Sequence, residues 1–141
     1  MARRSGFTLV ELVVVVLILG ILAAIAVPKI ISNADDAAES GVAQTLSAIR
    51  DAVELYRTQT NAGGYPQGNA AAIETKLLPL IRGTKFPKVK VGGLNTNTIK
   101  VDNTLTVGGT TEGWVYAPTT GQIIINSSSL MKDGVTKYSD L

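Results

Sequence analysis

The sequence contains neither cysteine nor histidine among its 141 residues. The absence of cysteine excludes a disulfide framework, a thiolate metal site and a cysteine nucleophile. A domain that lies outside the cytoplasm must then be stabilised without disulfides. The absence of histidine removes the commonest general base and the commonest zinc ligand. We therefore predict that the chain is not an enzyme.

An excess of positive charge is also missing from most of the chain. The sequence has 13 basic and 11 acidic residues, and Arg3 and Arg4 account for the whole difference. The basic pI of about 9.0 therefore says little about nucleic acid and more about orientation at a membrane. We expect no nucleic acid partner.

Apolar residues are abundant only near the N-terminus. Residues 7–27 are interrupted only by Thr8, Glu11 and Gly20. A helix of that length spans roughly 30 Å, which matches the hydrocarbon core of a bilayer. The two arginines upstream predict that the N-terminus stays on the cytoplasmic side.

Two general interpretations of this segment leave Glu11 without a full explanation. A secretory signal is supported by the small residues around Ala24–Ala26 and by the arginine pair, but the apolar run is long and contains an acid. In a simple membrane anchor, Thr8 and Glu11 would form a capping box that makes the acid tolerable in a first helical turn. Neither interpretation explains why a carboxylate lies inside a membrane segment, where it is costly.

A third interpretation, which we favour, rests on a resemblance. The stretch RRSGFTLVE, the apolar run, Gly20 and Pro28 resemble the N-terminal segment of type IV pilins and pseudopilins. The resemblance implies that a prepilin peptidase cuts between Gly6 and Phe7 and that the new amine of Phe7 is methylated. It also implies that Glu11 pairs with the N-terminal amine of a neighbouring subunit during assembly.

The same resemblance implies a domain organisation and a location. Residues 1–6 would be the leader peptide, 7–28 the transmembrane and polymerisation helix, and 29–141 a pilin-like globular domain outside the cytoplasm. The protein would lie in the inner membrane as a single-pass chain, meet an inner-membrane assembly platform and form a homo-oligomeric filament. The helix between Gly20 and Pro28 would be the part that can lose helicity in the fibre.

The remaining chain predicts an α+β fold. Apolar residues at three- and four-residue steps extend the first helix from about residue 8 to 60. A short second helix is predicted over 70–81, broken near Pro79. Two hairpins are predicted, one of 98–101 with 104–107 and one of 113–117 with 122–126. We expect a long helix packed on a small antiparallel sheet, with Trp114 and Tyr116 in the core.

Two further features of the sequence have alternative interpretations. The resemblance implies calcium binding near the C-terminus in some family members, but here Asp133 and Asp140 are weak candidates, and a solvated turn is favoured. A basic stretch could attract phosphate, although we favour a solvated face that balances acids on the long helix. It comprises Arg82, Lys85, Lys88, Lys90 and Lys100.

The sequence thus predicts a structural filament subunit without a cofactor. We favour a pseudopilus subunit of a type II secretion system. The alternatives are a major or minor type IV pilus subunit, serving adhesion, motility or DNA uptake, and a membrane-anchored or secreted binding domain.

Overall fold

The computed structural model describes residues 6–59 and 63–141, and of Ser32 it describes the backbone alone. Within it the chain divides into two compact units, Met1–Asp36 and Ala37–Leu141. The predicted leader falls almost wholly on residues outside the described ranges, as does the predicted helix end at residue 60. The predicted domain boundary after Pro28 stays a prediction.

Helix α1 spans Leu9–Gln59 and confirms the predicted long helix. Its first turn is closed by a reciprocal set of hydrogen bonds between Thr8 and Glu11. The helix runs through Gly20 and Pro28 without interruption, although proline removes one backbone donor. The loss of helicity predicted for the assembled fibre is a separate state and stays a prediction.

Helix α2 spans Ala70–Leu77 and is followed by a 3₁₀ turn at Leu78–Leu80. The side chain of Asn69 caps α2 by accepting a hydrogen bond from the backbone N–H of Ala72 at 3.0 Å. The predicted helix over 70–81 is therefore divided, because Pro79 lies in the 3₁₀ turn and cannot donate the hydrogen bond that an α-helix would need.

Three short strands form one mixed sheet in the order β1–β2–β3, with β1 at Ile99–Val101, β2 at Trp114–Ala117 and β3 at Gln122–Ile125. Strands β2 and β3 are antiparallel, so the second predicted hairpin is confirmed. Strands β1 and β2 are parallel, with Ile99 opposite Trp114. The α+β class is confirmed, but the expectation of a purely antiparallel sheet is wrong.

The first predicted hairpin is also wrong, because residues 104–107 form no strand. The carboxylate of Asp102 accepts hydrogen bonds from the backbone N–H and the hydroxyl of Thr104, and Leu105 takes a positive φ of 52°. These contacts close a local turn instead of a ladder. The chain then crosses back over residues 102–113 to begin β2 beside the start of β1, as a parallel pair requires.

The hydrophobic core lies in the unit Ala37–Leu141 and joins one face of α1 to the sheet. Trp114 and Tyr116 are fully buried, which confirms their predicted place in the core. The indole N–H of Trp114 donates to the carbonyl of Pro87 at 2.8 Å, and its ring meets Phe86 edge to face. The buried residues that α1 contributes are Val42, Leu46, Ile49, Ala52 and Val53.

Candidate assembly site

The candidate assembly site begins at the first turn of α1. The Oε2 atom of Glu11 accepts hydrogen bonds from the backbone N–H and the hydroxyl of Thr8, both at 2.8 Å. The Thr8 hydroxyl in turn accepts from the backbone N–H of Glu11 at 3.2 Å. The predicted capping box is therefore present, and it holds the carboxylate at the helix start.

The capping box leaves part of the Glu11 carboxylate available. Within residues 6–59 and 63–141, its Oε1 atom accepts no hydrogen bond. Phe7 stands one residue before the cap with 73% of its surface exposed. Among the described residues, nothing lies within 4 Å of the place that a Cβ on Gly6 would occupy. The Glu11 carboxylate and the Gly6–Phe7 bond thus lie in one short segment.

The apolar part of α1 covers no core. The large apolar side chains from Leu9 to Ile31 are exposed in the monomer. By length and composition α1 can cross a membrane, and none of its most apolar stretch is buried. So large an apolar surface requires lipid or other helices to cover it.

The two acids considered for calcium are engaged in local hydrogen bonds. The Oδ1 atom of Asp133 accepts from the backbone N–H groups of Val135 and Thr136, both at 2.9 Å, and Oδ2 accepts from the Thr136 hydroxyl. These bonds, led by the Thr136 hydroxyl, lower the pKa of Asp133. Asp140 accepts from the Ser139 hydroxyl at 3.0 Å.

The donor set does not fit a calcium site. Calcium takes about six to eight oxygen ligands and usually several carboxylates. In the described part of the chain, no group of three or more acidic, histidine or cysteine side chains is placed to hold a metal ion. The carboxylate of Asp133 instead completes its own turn.

The basic stretch is divided by the fold. Lys100 pairs with Asp102 at 3.2 Å and donates to the carbonyl of Thr106 at 2.7 Å, so it stabilises the turn after β1. Lys88 and Lys90 are exposed on either side of the buried Val89. The alternation leaves both lysines exposed, and the favoured interpretation, a solvated face that balances acids on α1, stays a prediction.

Comparisons with known proteins bear on the N-terminal segment. Residues 1–27 match the family model described as the prokaryotic N-terminal methylation motif. The chain is 44% identical over 64 residues to the type IV narrow pilus major component PilA5 of Thermus thermophilus. It is 39% identical over 59 residues to the type II secretion system core protein G of Aeromonas hydrophila, and 44% identical over 64 residues to that of Pseudomonas aeruginosa. The N-terminal segment therefore contains the methylation motif and is similar to that of a type IV pilus component and of type II secretion system core proteins.

The pilin-type relatives are matched over part of their length. The aligned stretches cover 45% of this chain and 53% of the Thermus protein, 42% and 41% for the Aeromonas protein, and 45% and 44% for the Pseudomonas protein. The chain thus spans about half the length of these relatives. No solved structure matches the chain significantly. The relatives are named as secretion-system and pilus components and not as enzymes, which agrees with the prediction of a non-catalytic protein.

Sequence reasoning missed two polar residues that organise the unit Ala37–Leu141. The amide of Asn126 is buried and bonds the backbone N–H and carbonyl of Gly108 and the carbonyl of Glu112, which fixes the crossover between β1 and β2. Glu39 on α1 bonds residues more than ninety positions later. The predicted strand 122–126 placed Asn126 at its end, but nothing in the sequence indicates its contacts with Gly108 and Glu112. No local pattern indicates the partners of Glu39 either.

Proposed function

We propose that the chain is a structural subunit of a pilin-type filament, processed between Gly6 and Phe7 and assembled through the apolar part of α1. The observation that carries this proposal is the exposed apolar surface from Leu9 to Ile31, in a segment that matches the methylation motif. A chain with this surface needs either lipid or copies of the same helix around it, and a filament supplies the second.

Glu11 gives that assembly a polar contact. In the monomer its Oε2 atom caps α1, while Oε1 has no hydrogen-bond partner in the described ranges. A carboxylate in apolar surroundings is costly unless a cation meets it, and the amine created at Phe7 of another copy supplies that cation. The pairing would favour assembly over the isolated chain and would fix the register between neighbours.

Within the family, we propose a pseudopilus subunit of a type II secretion system. Support comes from the similarity to core protein G of several bacteria, the small C-terminal unit and the absence of a cysteine pair that would close the C-terminal region. A type IV pilus subunit is the second candidate, because the Thermus pilus component is as similar over the same length.

The first experiment reads the N-terminus of the mature chain in membranes of a host that expresses a prepilin peptidase. Mass spectrometry should find a chain that starts at Phe7 and carries a methylated amine. A chain that starts at Val27 would contradict the proposal, because a signal sequence passes the same test of length and apolarity as α1.

The second experiment separates capping from pairing with one variant of Glu11 and one of Thr8. Glu11→Gln keeps an oxygen that can accept from Thr8 but removes the charge, whereas Thr8→Val removes the capping hydroxyl and keeps the acid. We expect both variants to enter the membrane, Glu11→Gln to lose filaments at least about tenfold, and Thr8→Val to retain most of them. Normal filaments from Glu11→Gln would contradict the pairing and leave the capping box as the whole role of Glu11.

Deleting the gene for this protein in its own bacterium distinguishes a secretion system from a pilus. If the protein is a pseudopilus subunit, we expect exported proteins to accumulate inside the cell envelope while surface pili remain. The loss of surface pili with normal export would favour the second candidate.

A further inference from the structure

We infer that residues 127–141, which we term the C-terminal segment, are fastened to α1 by Glu39 and Arg50 and need no calcium for this. The last part of the unit Ala37–Leu141 is thereby held in place by side chains of α1.

The C-terminal segment is a folded loop with its own hydrogen bonds. Leu130 and Lys137 form an isolated antiparallel bridge, and the backbone N–H of Met131 donates to the carbonyl of Thr136 at 2.7 Å. A turn closes between Met131 and Gly134, whose φ is 70°. Asp133 completes the tip through its bonds to Val135 and Thr136. The loop therefore has a set of hydrogen bonds of its own, apart from its contacts with α1.

Glu39 is the acid that joins this loop to α1. Its Oε1 atom accepts from the backbone N–H of Lys132 at 2.7 Å and from the hydroxyl of Tyr138 at 2.8 Å. Lys132 lies within the turn between Met131 and Gly134, whereas Tyr138 directly follows the bridge residue Lys137. One carboxylate oxygen thus joins the tip of the loop to its base, and bonds to a charged acceptor are the stronger class of hydrogen bond.

The ring of Tyr138 makes the contact rigid. Tyr138 is buried, and it packs against Gly92, where an added Cβ would lie 3.1 Å from Cδ2 of the ring and would overlap the hydroxyl of Ser127. Gly92 also takes a φ of 60°, which favours glycine. The hydroxyl that reaches Glu39 is therefore carried by a side chain with little freedom to move.

Arg50 holds the end of the same segment. Its guanidinium donates to the carbonyl of Leu141 at 2.9 Å and to the carbonyl of Ile123 in β3 at 3.3 Å. Arg50 lies eleven positions after Glu39 on α1, which is three helical turns, so both side chains can face the segment. The segment is thus fixed at its loop and at its last residue.

The acidic side chains that could bind a calcium ion are already engaged in hydrogen bonds. Asp133 and Asp140, the acids within the segment, accept hydrogen bonds from neighbouring residues, and Glu39 is bonded to backbone and tyrosine. Each group that would have to turn toward an ion already contributes to the closed arrangement. Closure by α1 therefore predicts that chelation changes neither the fold nor the mobility of the segment.

Hydrogen exchange on the full chain in detergent micelles tests this inference. We expect the Lys132 amide of the natural chain to exchange at the same rate in calcium chloride and in EDTA. In Glu39→Ala that amide should exchange faster by about tenfold or more, because its charged acceptor is gone. Asp51→Ala is the matched control, since Asp51 is an exposed acid on α1 with no hydrogen bond or ion pair in the described ranges. It should leave the rate unchanged.

Two further variants keep the test decisive if Glu39→Ala fails to fold. Glu39→Gln retains an acceptor oxygen and should restore part of the protection at Lys132. Tyr138→Phe removes one donor, keeps the buried ring and should loosen the segment by a smaller factor. Slower exchange on adding calcium, or faster exchange in EDTA, would overturn the inference. Exchange in Tyr138→Phe and Glu39→Gln equal to that of the natural chain would overturn it as well.

Discussion

Gly121 is the residue at which the β2–β3 turn and the ring of Tyr65 come together. It has a φ of 73°, and a Cβ at this position would overlap the ring. Tyr65 cannot easily move away, because the Arg57 guanidinium lies 5.3 Å from its ring centre and Arg57 also donates to its hydroxyl. A single glycine therefore allows the loop after α1 to pack on the hairpin.

We predict that Gly121→Ala lowers the free energy of unfolding by roughly 2–4 kcal/mol, from backbone strain together with displacement of Tyr65. The control is Gly134→Ala, where φ is 70° but open space surrounds the Cβ position, so only the backbone cost of about 1–2 kcal/mol applies. Thermal or denaturant unfolding followed by the fluorescence of Trp114, the chain's one tryptophan, measures both. An equal decrease in the free energy of unfolding of the two variants would show that the Tyr65 ring moves aside without destabilising the fold.

The turn after β1 shows how an element can depend on one carboxylate. Asp102 accepts from the Thr104 hydroxyl and backbone N–H, and Lys100 lies at 3.2 Å. The bonds from Thr104, followed by the one from Lys100, lower the pKa of Asp102 well below the ordinary value. Because the folded-state pKa is depressed, the ionised carboxylate stabilises the fold above the ordinary pKa of aspartate, and this stabilisation is lost as the pH falls toward the folded-state pKa.

We therefore predict that Asp102→Ala lowers the unfolding temperature most at neutral pH and that the difference from the natural chain shrinks in acid. Thr104→Val should raise the pKa of Asp102, since it removes the largest cause of the shift. Unfolding curves over pH and carboxyl titration by NMR measure these effects. An unfolding difference that is constant with pH, or an unchanged pKa in Thr104→Val, would show that these bonds do not persist in solution.

The elements that the sequence predicts correctly are those set by local chemistry. The first turn of α1 follows from Thr8 and Glu11, and the β2–β3 hairpin follows from alternating apolar residues around Pro118 and Gly121. The wrongly predicted hairpin of 98–101 with 104–107 had the same alternation, but there the side chain of Asp102 accepts hydrogen bonds from Thr104. The alternating pattern alone cannot decide between a hairpin and a local turn. Hydrogen bonds from a side chain to the nearby backbone, such as those of Asp102, compete with the backbone hydrogen bonds between strands.

The pairing of β1 with β2 could not be predicted for a different reason. Ile99 lies opposite Trp114, so the register depends on a crossover whose course is fixed by the amide of Asn126. Contacts over this distance in sequence leave no periodic signal. The same holds for Glu39, whose two donors are Lys132 and Tyr138. The site residues predicted at the N-terminus could be proposed from the sequence because they lie within one short segment.

Buried and exposed apolar side chains lie on separate parts of the described chain. In the described residues, every buried hydrophobic side chain lies between Val42 and Tyr138, while the apolar side chains from Leu9 to Ile31 are exposed. The core therefore takes nothing from the apolar part of α1. We therefore expect that the stability of the unit Ala37–Leu141 can be changed without changing assembly through the apolar part of α1, and the reverse.

We predict that residues 29–141 alone fold in water as a monomer and unfold in one cooperative step, at a temperature within a few degrees of the full chain. The buried Trp114 reports this unfolding, and size-exclusion chromatography reports the monomer. Glu11→Gln in the full chain serves as the reciprocal control, since it should strongly reduce the number of filaments and leave the Trp114 transition unchanged. A fragment that lacks a cooperative transition would mean that the N-terminal helix contributes to folding, and the loss of filaments in Glu11 variants could then reflect misfolding instead of a missing charge pair.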